Sequence, residues 1–159
     1  MSAAKLISRR LRQLSIGGGD RRHRAREVAE CIRAARGYHW VGLYDVGPST
    51  ISAVAWTGPT APAHPTFPRE FGLNGAAVTS AAPVIVQDVR EDPRYLTTFG
   101  ATLAEAIFPV RAPDGRIVGT IDVESDRANS FTAEDERFLA SCAEALVELW
   151  AEESRNDRS

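Results

Sequence analysis

The chain has 159 residues, of which 43% are hydrophobic and 25% are charged. These values are typical of one globular domain with its own core, and they are neither those of a disordered chain nor those of a membrane-like one. No apolar run approaches the roughly 20 residues of a membrane-spanning helix, and no apolar stretch follows the basic N-terminus as it does in a secretory signal. We therefore expect a cytoplasmic protein without a membrane partner.

The formal net charge of −2 does not call for a nucleic-acid partner. Basic residues are nevertheless concentrated in residues 1–36 and acidic residues in residues 120–159. We favour two amphipathic helices of opposite charge over a basic patch for RNA, DNA or lipid, because no aromatic side chains that could stack on bases lie among residues 5–26. Cys31 and Cys142 lie far apart, without metal-ligand spacing, and we interpret them as small buried apolar residues. We expect no cofactor.

Two helices are predicted at the start of the chain. The first covers Ser2–Ser15 and ends at three successive glycines, Gly17–Gly19. Asp20 is a suitable N-cap for the second, whose apolar residues recur at three- and four-residue spacing until Gly37.

The middle of the chain changes to the two-residue period of strands. Strands are predicted at His39–Val46 and Ile51–Thr57, joined by a turn that contains Gly47 and Pro48. The elements expected after them are a proline-rich surface loop over Gly58–Pro68, a short helical turn over Ala76–Ala81, a strand at Val84–Val86 and an irregular stretch from Glu91 to about Thr102.

Glu105–Ala112 and Arg116–Glu124 form the clearest pair of strands, because Asp114-Gly115 between them favours a two-residue hairpin turn. A final helix begins at the capping sequence Thr132–Asp135 and continues to Trp150. Helices at both ends around a mostly antiparallel sheet predict an α+β domain.

The hairpin turn predicts a register in which paired residues have numbers that sum to 229. One face is then apolar and packs on the helices; it carries Ala106, Phe108, Val110, Val123, Ile121, Gly119 and Ile117. On the opposite face Glu105 lies directly across from Glu124, and Asp122 lies two residues along the same strand.

Three carboxylates this close repel one another unless a cation joins them or one is protonated. In one interpretation the face is open to water or is neutralised by Arg69, Arg94 or Arg111. In the other it forms the base of a pocket for an ammonium, a guanidinium or a metal ion. The loops 58–72 and 90–102 are long enough to cover the face, which favours a pocket. We expect no metal, because no histidine lies near the acids in sequence.

Several segments of the sequence resemble those of a GAF domain, and in particular those of the stand-alone GAF enzymes that reduce free methionine-(R)-sulfoxide. The similarity runs from Trp40 to Trp150. The segments that carry it are Trp40–Tyr44, Gly58-Pro59, Leu73–Val78, Val86–Val89, Glu105–Val110, Gly119–Ser125 and Phe131–Asp135.

The resemblance implies one GAF domain over residues 20–154, with an N-terminal extension at 1–19 and a tail at 155–159. It implies a central sheet with the terminal helices on one face and loops covering a pocket on the other. In that family the acids equivalent to Glu105, Asp122 and Glu124 hold the substrate's amino group, with Glu124 in place of the usual aspartate. The ligand-binding residues expected here are those three acids together with Trp56, Phe99 and Thr98.

The sequence departs from that family at its cysteines. Asn74 occupies the position before Gly75 where a cysteine is expected, and the catalytic cysteine falls on Thr97 or Thr98. A hydroxyl cannot replace the thiolate that attacks sulfur or the thiol that resolves the product. We therefore expect no catalytic residues and no activity as an enzyme of this type.

Three functions follow from these observations. The first is a non-catalytic sensory or regulatory domain that binds a small amine-bearing or amino-acid-like ligand. The second is a diverged free methionine-(R)-sulfoxide reductase. The third is an interaction module, in which the amphipathic terminal helices form a homodimer and the pocket is vestigial.

Overall fold

The computed structural model describes residues 1–96 and 100–151. Within these residues the helices are α1 (Ala3–Ile16), α2 (Arg21–Arg36), α3 (Gly72–Ser80) and α4 (Ala133–Ala145). The strands are β1 (Trp40–Val46), β2 (Thr50–Thr57), β3 (Thr66–Pro68), β4 (Val84–Val86), β5 (Ala104–Arg111) and β6 (Ile117–Ser125). Short 3-10 turns cover Val89–Glu91 and Val147–Trp150.

The six strands form one antiparallel sheet in the order β3-β2-β1-β6-β5-β4. Helices α1, α2 and α4 pack together on one face, with α2 against β1 and β2 and α4 against β5. Helix α3 lies against β4, β5 and β6 and belongs to a separate apolar cluster around Leu73 and Ile107. The predicted α+β architecture, with the terminal helices on one face, is confirmed.

Helix α1 contributes to the main core through its apolar side. Leu11 and Leu14 are buried there with α2 and α4, whereas Leu6 and Ile16 remain exposed. Part of the apolar side of α1 is therefore covered within the chain itself, and the homodimer through the terminal helices stays a prediction.

The helix ends follow from capping residues. The side chain of Asp20 accepts a hydrogen bond from the backbone of His23, and Gly37 ends α2 in the left-handed conformation with φ of 66°. Thr132 and Asp135 form a reciprocal capping box at the start of α4. The caps predicted at these positions are confirmed.

The predicted continuation of the last helix to Trp150 is wrong in part. Helix α4 ends at Ala145, and the chain tightens into a 3-10 turn after Leu146. Arg21 Nε lies 2.6 Å from the Leu149 carbonyl oxygen and donates a hydrogen bond to it. This side chain satisfies one of the carbonyls at the helix end, as a cap does.

Two other segments differ from expectation. The proline-rich loop contains β3, which pairs with the start of β2 at the sheet edge, where a strand tolerates proline. Helix α3 begins at Gly72 rather than Ala76, so Asn74 and Gly75 lie in its first turn. Gly75 fits there because a Cβ at this position would lie 2.4 Å from the backbone carbon of Glu70.

The hairpin between β5 and β6 has a three-residue loop instead of the predicted two-residue turn. The amide of Ala112 donates to the carbonyl of Arg116, and Gly115 has φ of 92°, as in a turn that ends in a left-handed residue. The numbers of paired residues sum to 228 beside this loop, at Arg111 and Ile117. A β-bulge follows and restores the predicted sum of 229 from Val110 and Gly119 onward.

The bulge also corrects one face assignment. Ile117 was expected on the face that packs against the helices, but it packs with Trp40 and Tyr44 on the opposite face. The other predicted apolar side chains from Ala106 to Val123 do lie in the main core. Among the described residues, no helix is both long and apolar enough to cross a membrane.

Candidate functional site

Three acidic side chains lie together on the sheet face opposite the helical layer. Glu105 of β5 pairs with Glu124 of β6, and Asp122 lies beside them on the same face. We call Glu105, Asp122 and Glu124 the acid cluster. Its members are 4%, 2% and 0% exposed, so the interpretation in which this face is open to water is wrong.

Neutral polar side chains contact the acid cluster. Asn74 Nδ2 donates to Asp122 Oδ2 at 3.0 Å, and Asn74 Oδ1 accepts from Thr120 Oγ1 at 2.6 Å. Thr102 Oγ1 donates to Glu124 Oε1 at 3.1 Å. These hydrogen bonds orient two of the three carboxyl groups without neutralising any of them.

The arginines considered as counter-charges have other contacts. Arg94 pairs with Asp92 at 2.6 Å, and Arg111 donates to the carbonyls of Gly115 and Ala81. Arg69 does not line the cavity above the acid cluster. Among the salt bridges of residues 1–96 and 100–151, none involves Glu105 or Asp122.

One carboxylate oxygen of the cluster is buried without a donor. Asp122 Oδ1 has no hydrogen-bond partner within the part of the chain that the structure describes. A buried polar atom of this kind costs free energy unless a proton or a ligand supplies a hydrogen bond. A proton shared with a neighbouring acid, a water molecule in the adjacent cavity or an N–H group of a ligand can supply that hydrogen bond.

The electrostatics of the cluster favour protonation of one of its carboxyl groups. Burial, followed by the negative charges of Asp122 and Glu124, raises the pKa of Glu105 well above its ordinary value. Burial raises the pKa of Asp122 to about 6, although hydrogen bonds from Glu105 and Asn74 act in the opposite direction. The Glu105–Asp122 pair thus binds a proton more readily than exposed acids do.

A small cavity lies above these two acids. Its volume is about 20 Å³, which is room for about one water molecule and far less than the roughly 300 Å³ of a small ligand pocket. The residues that line it are Tyr44, His64, Phe67, Gly72, Leu73, Asn74, Leu96, Glu105 and Asp122. His64, Phe67 and Leu96 come from the two segments that were expected to cover the acids, so both contribute to the cover.

Strand β1 supplies the neighbouring wall of the site. Gly42 is paired with Asp122 in the sheet, and the rings of Trp40 and Tyr44 flank it on the same face. Burial, followed by the charges of the acid cluster, raises the pKa of Tyr44. Sequence reasoning missed Tyr44 as a site residue, although the alternation of Trp40, Gly42 and Tyr44 along one strand was a usable signal.

Trp56, Phe99 and Thr98 were also predicted to contact the ligand. Trp56 is paired with Gly42 and so lies on the face of the acid cluster, but it lines a separate surface groove between β2 and the start of α2. Thr98 and Phe99 lie outside the described residues. The roles of these three residues in binding stay predictions.

The two cysteines lie on the other side of the sheet from the acid cluster. Cys142 is buried in the main core, and Cys31 is half-buried against it. Burial raises the pKa of both thiols, and the neighbouring Cys31 adds to the effect at Cys142. The interpretation of these cysteines as small core residues is confirmed. In the described part of the chain, no group of three or more His, Cys, Asp and Glu side chains is arranged to hold a metal ion.

Most of the chain matches the model of one known protein family. Residues 23–148 match the GAF domain model, which covers most of the chain, and the sheet order and helical layer agree with it. The protein belongs to the GAF domain family.

The similar proteins include both free methionine-R-sulfoxide reductases and a protein whose name gives no activity. Protein YtsP of Bacillus subtilis is 29% identical over 114 residues, which is 72% of this chain and 69% of the relative. The type II free methionine-R-sulfoxide reductase of Thermoplasma acidophilum is 30% identical, with a TM-score of 0.76 over 84% of this chain and 96% of that one. The corresponding enzyme of Neisseria meningitidis has a TM-score of 0.82 at 24% identity, over 99% of this chain and 95% of that one, and this shows the shared fold.

Proposed function

We propose that this GAF domain binds a small amine-bearing or amino-acid-like molecule and acts as a non-catalytic sensory or regulatory domain. The ligand's ammonium group contacts the acid cluster and donates a hydrogen bond to Asp122 Oδ1. The observation that carries the proposal is this buried oxygen, to which no N–H or hydroxyl group of the described residues donates. It lies beside two further buried acids, one of which, Glu105, shares a hydrogen bond with Asp122.

A bound ammonium satisfies the site better than water does. Its charge offsets the repulsion within the acid cluster, and its three N–H groups match the geometry of several carboxylates. Asn74 already occupies Asp122 Oδ2, which leaves Oδ1 as the available acceptor of a residue that lines the cavity. The buried surroundings strengthen such a charge-assisted hydrogen bond.

The position of the thiols supports binding without sulfoxide reduction. Asn74 lies in the first turn of α3, where the resemblance led us to expect a cysteine, and its amide is engaged by Thr120 and Asp122. Neither Cys31 nor Cys142 lines the cavity above the acids. Reduction of a sulfoxide needs a nucleophilic thiolate next to the bound sulfur.

Isothermal titration calorimetry with n-pentylamine, cadaverine, L-norleucine and L-methionine tests the proposal. At least one of these probes is expected to bind the full chain, and Asp122→Asn is expected to weaken that binding about tenfold or more. Asp114→Asn, which removes an exposed carboxylate on the β5–β6 loop, is the matched control and leaves binding unchanged. Circular dichroism verifies that each variant is folded.

Two results contradict the proposal. One is the absence of binding by all four probes to the wild-type chain. The other is undiminished binding by folded Asp122→Asn and by folded Glu105→Gln, because both variants remove a charge from the acid cluster.

A further inference from the structure

The outer edge of β2 is only partly covered by a neighbouring strand. Strand β3 pairs with residues 50–52, and the sheet ends at β3. The amide of Ala53 donates to the Pro65 carbonyl at 2.7 Å, but within the described residues no strand pairs with the outer edge of residues 54–57. An edge of this kind presents backbone N–H and C=O groups that can pair with an added strand.

A groove of about 550 Å³ runs along this open edge. Residues 53–56 of β2 line it, together with the start of α2 and with Ala61, Pro62 and Pro65 of the loop after β2. The half-buried Trp56 and the two prolines give the groove apolar surface beside the strand edge. A groove built on a strand edge suits an extended peptide, because the peptide can form backbone hydrogen bonds along its length.

The charge of the groove is mainly positive. Arg22, His23 and Arg26 line it, and Arg22 and Arg26 are exposed. Asp20, which is the one acid of the lining within the described residues, already caps α2 by accepting from the His23 amide at 2.8 Å. Neither Arg22 nor Arg26 takes part in a salt bridge within residues 1–96 and 100–151.

The stability of α2 does not account for these two arginines. Arg22 lies in the first turn, where the partial positive charge of the helix terminus disfavours basic residues, and this turn contains no acid. Its basic neighbours have partners inside the chain: Arg21 pairs with Asp45 at 2.6 Å, and the buried Arg24 donates to a backbone carbonyl at 2.7 Å. Arg22 and Arg26 have no such partner among the described residues, and a negatively charged ligand would supply one.

We propose that this groove binds an extended acidic segment of another protein. The segment adds a strand to the outer edge of residues 54–57, its acidic side chains pair with Arg22 and Arg26, and its alternate side chains contact Trp56 and the loop prolines. Backbone hydrogen bonds supply affinity in this mode of recognition, and the side-chain contacts supply specificity. The groove shares no lining residue with the cavity above the acid cluster, so this inference does not rest on the function proposed above.

A second copy of the chain fits the groove less well than an acidic partner does. Two copies that pair through the same edge of β2 are related by a two-fold axis, so each copy presents the same patch to the other. Such pairing brings Arg22 and Arg26 of both copies together, and like charges across a strand pair are unfavourable.

Fluorescence anisotropy with the full chain at low ionic strength tests the charge of the partner. The probe is a labelled peptide of alternating glutamate and valine, about eight residues long, which is within the usual length of a strand. It is expected to bind about tenfold or more tightly than the same peptide with glutamine in place of glutamate, and added salt is expected to weaken it. No binding of the glutamate peptide, or equal binding of the two peptides, overturns the inference.

Two N-methylated versions of the glutamate peptide test the addition of a strand. One carries methyl groups on the glutamate nitrogens and the other carries them on the valine nitrogens. Because successive N–H groups of a strand point to opposite edges, one version is expected to lose about tenfold in affinity and the other to bind as the parent peptide does. Equal effects of the two versions contradict strand addition, since the arginines would then bind the carboxylates without backbone pairing.

Two double variants test the position of the site. Arg22→Gln/Arg26→Gln is expected to weaken binding of the glutamate peptide about tenfold or more. Arg9→Gln/Arg12→Gln removes the same charge from exposed positions of α1 and is expected to leave binding unchanged. Circular dichroism verifies that both are folded, and equal weakening by both overturns the site. A dimeric wild-type chain that does not bind the peptide and becomes monomeric in Arg22→Gln/Arg26→Gln has a second copy in the groove, which also contradicts the inference.

Discussion

The carboxamide of Asn74 holds Asp122 in a fixed orientation from the first turn of α3. Its nitrogen donates to Asp122 Oδ2 at 3.0 Å, while its oxygen accepts from Thr120 at 2.6 Å. Both capacities of the amide are therefore used inside the protein. The consequence is that Asp122 presents its other oxygen, Oδ1, as the acceptor still lacking a donor in the described structure.

Replacing Asn74 tests this positioning role. Asn74→Ala leaves Thr120 and Asp122 without their buried partner, so the free energy of unfolding is expected to fall by about 1–3 kcal/mol. Asn74→Asp adds a fourth carboxyl group and is expected to destabilise the domain further at pH 7. Urea denaturation measures both effects. Thr79→Ala, on an exposed position of the same helix, is the control; an equal loss in that variant contradicts the assignment.

The acid cluster predicts an unusual dependence of stability on pH. Because the folded state raises the pKa of Asp122 to about 6 and that of Glu105 well above its ordinary value, folding favours their protonated forms. Their stabilising contribution is complete below the ordinary pKa near 4 and is lost as pH rises through the folded values. For Asp122 alone the loss is about 2–3 kcal/mol.

Asp122→Asn separates this effect from the other ionisable groups. The free energy of unfolding of the wild-type protein, relative to that of the variant, is expected to decrease as pH rises from 4 to 7. Urea denaturation at several pH values measures the difference. A difference that stays constant over this range means that Asp122 titrates normally. Because a cationic ligand favours the ionised acids, n-pentylamine is expected to reduce the decrease.

The sequence correctly predicted the face of the sheet on which the acids lie, although the turn on which that prediction rested has a different length. A two-residue turn at Asp114-Gly115 implied the sum of 229, whereas the actual three-residue loop implies 228. The β-bulge near Val118 offsets this difference, so Glu105 and Glu124 pair as predicted and only Ile117 changes face. Bulges depend on tertiary packing and leave little trace in a single sequence.

The positions of the three acids could be predicted from the sequence, but the residues that contact and cover them could not. Like charges across a strand pair can be read from register alone. The contact between Asn74 and Asp122 joins residues 48 positions apart and depends on how α3 packs against the sheet. The cover by His64 and Leu96 depends on two irregular loops, and local sequence patterns do not determine how such loops fold together.

Gly42 is expected to be required because the rings of Trp40 and Tyr44, which form one side of the site, leave no room for a side chain at this position. A Cβ at this position would lie 2.4 Å from Trp40 Cη2 and 3.2 Å from Tyr44 Cε2. Trp40 cannot move easily, since it is fully buried and its Nε1 donates to the Thr60 carbonyl at 3.0 Å. Gly42→Ala should therefore cost about 1–3 kcal/mol and alter the near-ultraviolet circular dichroism of the tryptophans.

Gly18→Ala is the control for Gly42→Ala, because a Cβ at Gly18 would have no atom within 4 Å. This substitution is expected to leave the free energy of unfolding within about 0.5 kcal/mol of the wild type. A Gly42→Ala protein as stable as the control would show that the Trp40 ring can shift freely.

The thiols are expected to react slowly in the folded protein. Cys142 is buried in the core, and burial raises the pKa of both Cys142 and Cys31, so little thiolate forms at pH 7.5. Titration with a chromogenic disulfide reagent should show Cys31 reacting first and Cys142 only at the rate of unfolding. Rapid reaction of two thiols without denaturant is the contrary result and would reopen a catalytic role.

Asp135 connects the start of α4 to α2 and the segment after it. Its Oδ1 accepts from Arg36 Nε at 2.6 Å and from the Tyr38 hydroxyl at 2.7 Å, while Oδ2 accepts from the backbone of Thr132 at 2.8 Å. Burial tends to raise the pKa of Asp135, but these hydrogen bonds outweigh it and hold the pKa below its ordinary value. The ionised form therefore stabilises the fold above pH 4, and this contribution is lost as pH falls.

Asp135→Asn is expected to reduce the free energy of unfolding at pH 7 by about 2–3 kcal/mol, because a charged acceptor of several hydrogen bonds is replaced by a neutral amide. Urea denaturation at pH 7 and pH 3 measures the change, and the difference from wild type should shrink at the lower pH. Glu136→Gln, the next residue of α4 and exposed, serves as the control. Equal losses at the two pH values would mean that the side chain acts through packing, since protonation of Asp135 then changes nothing.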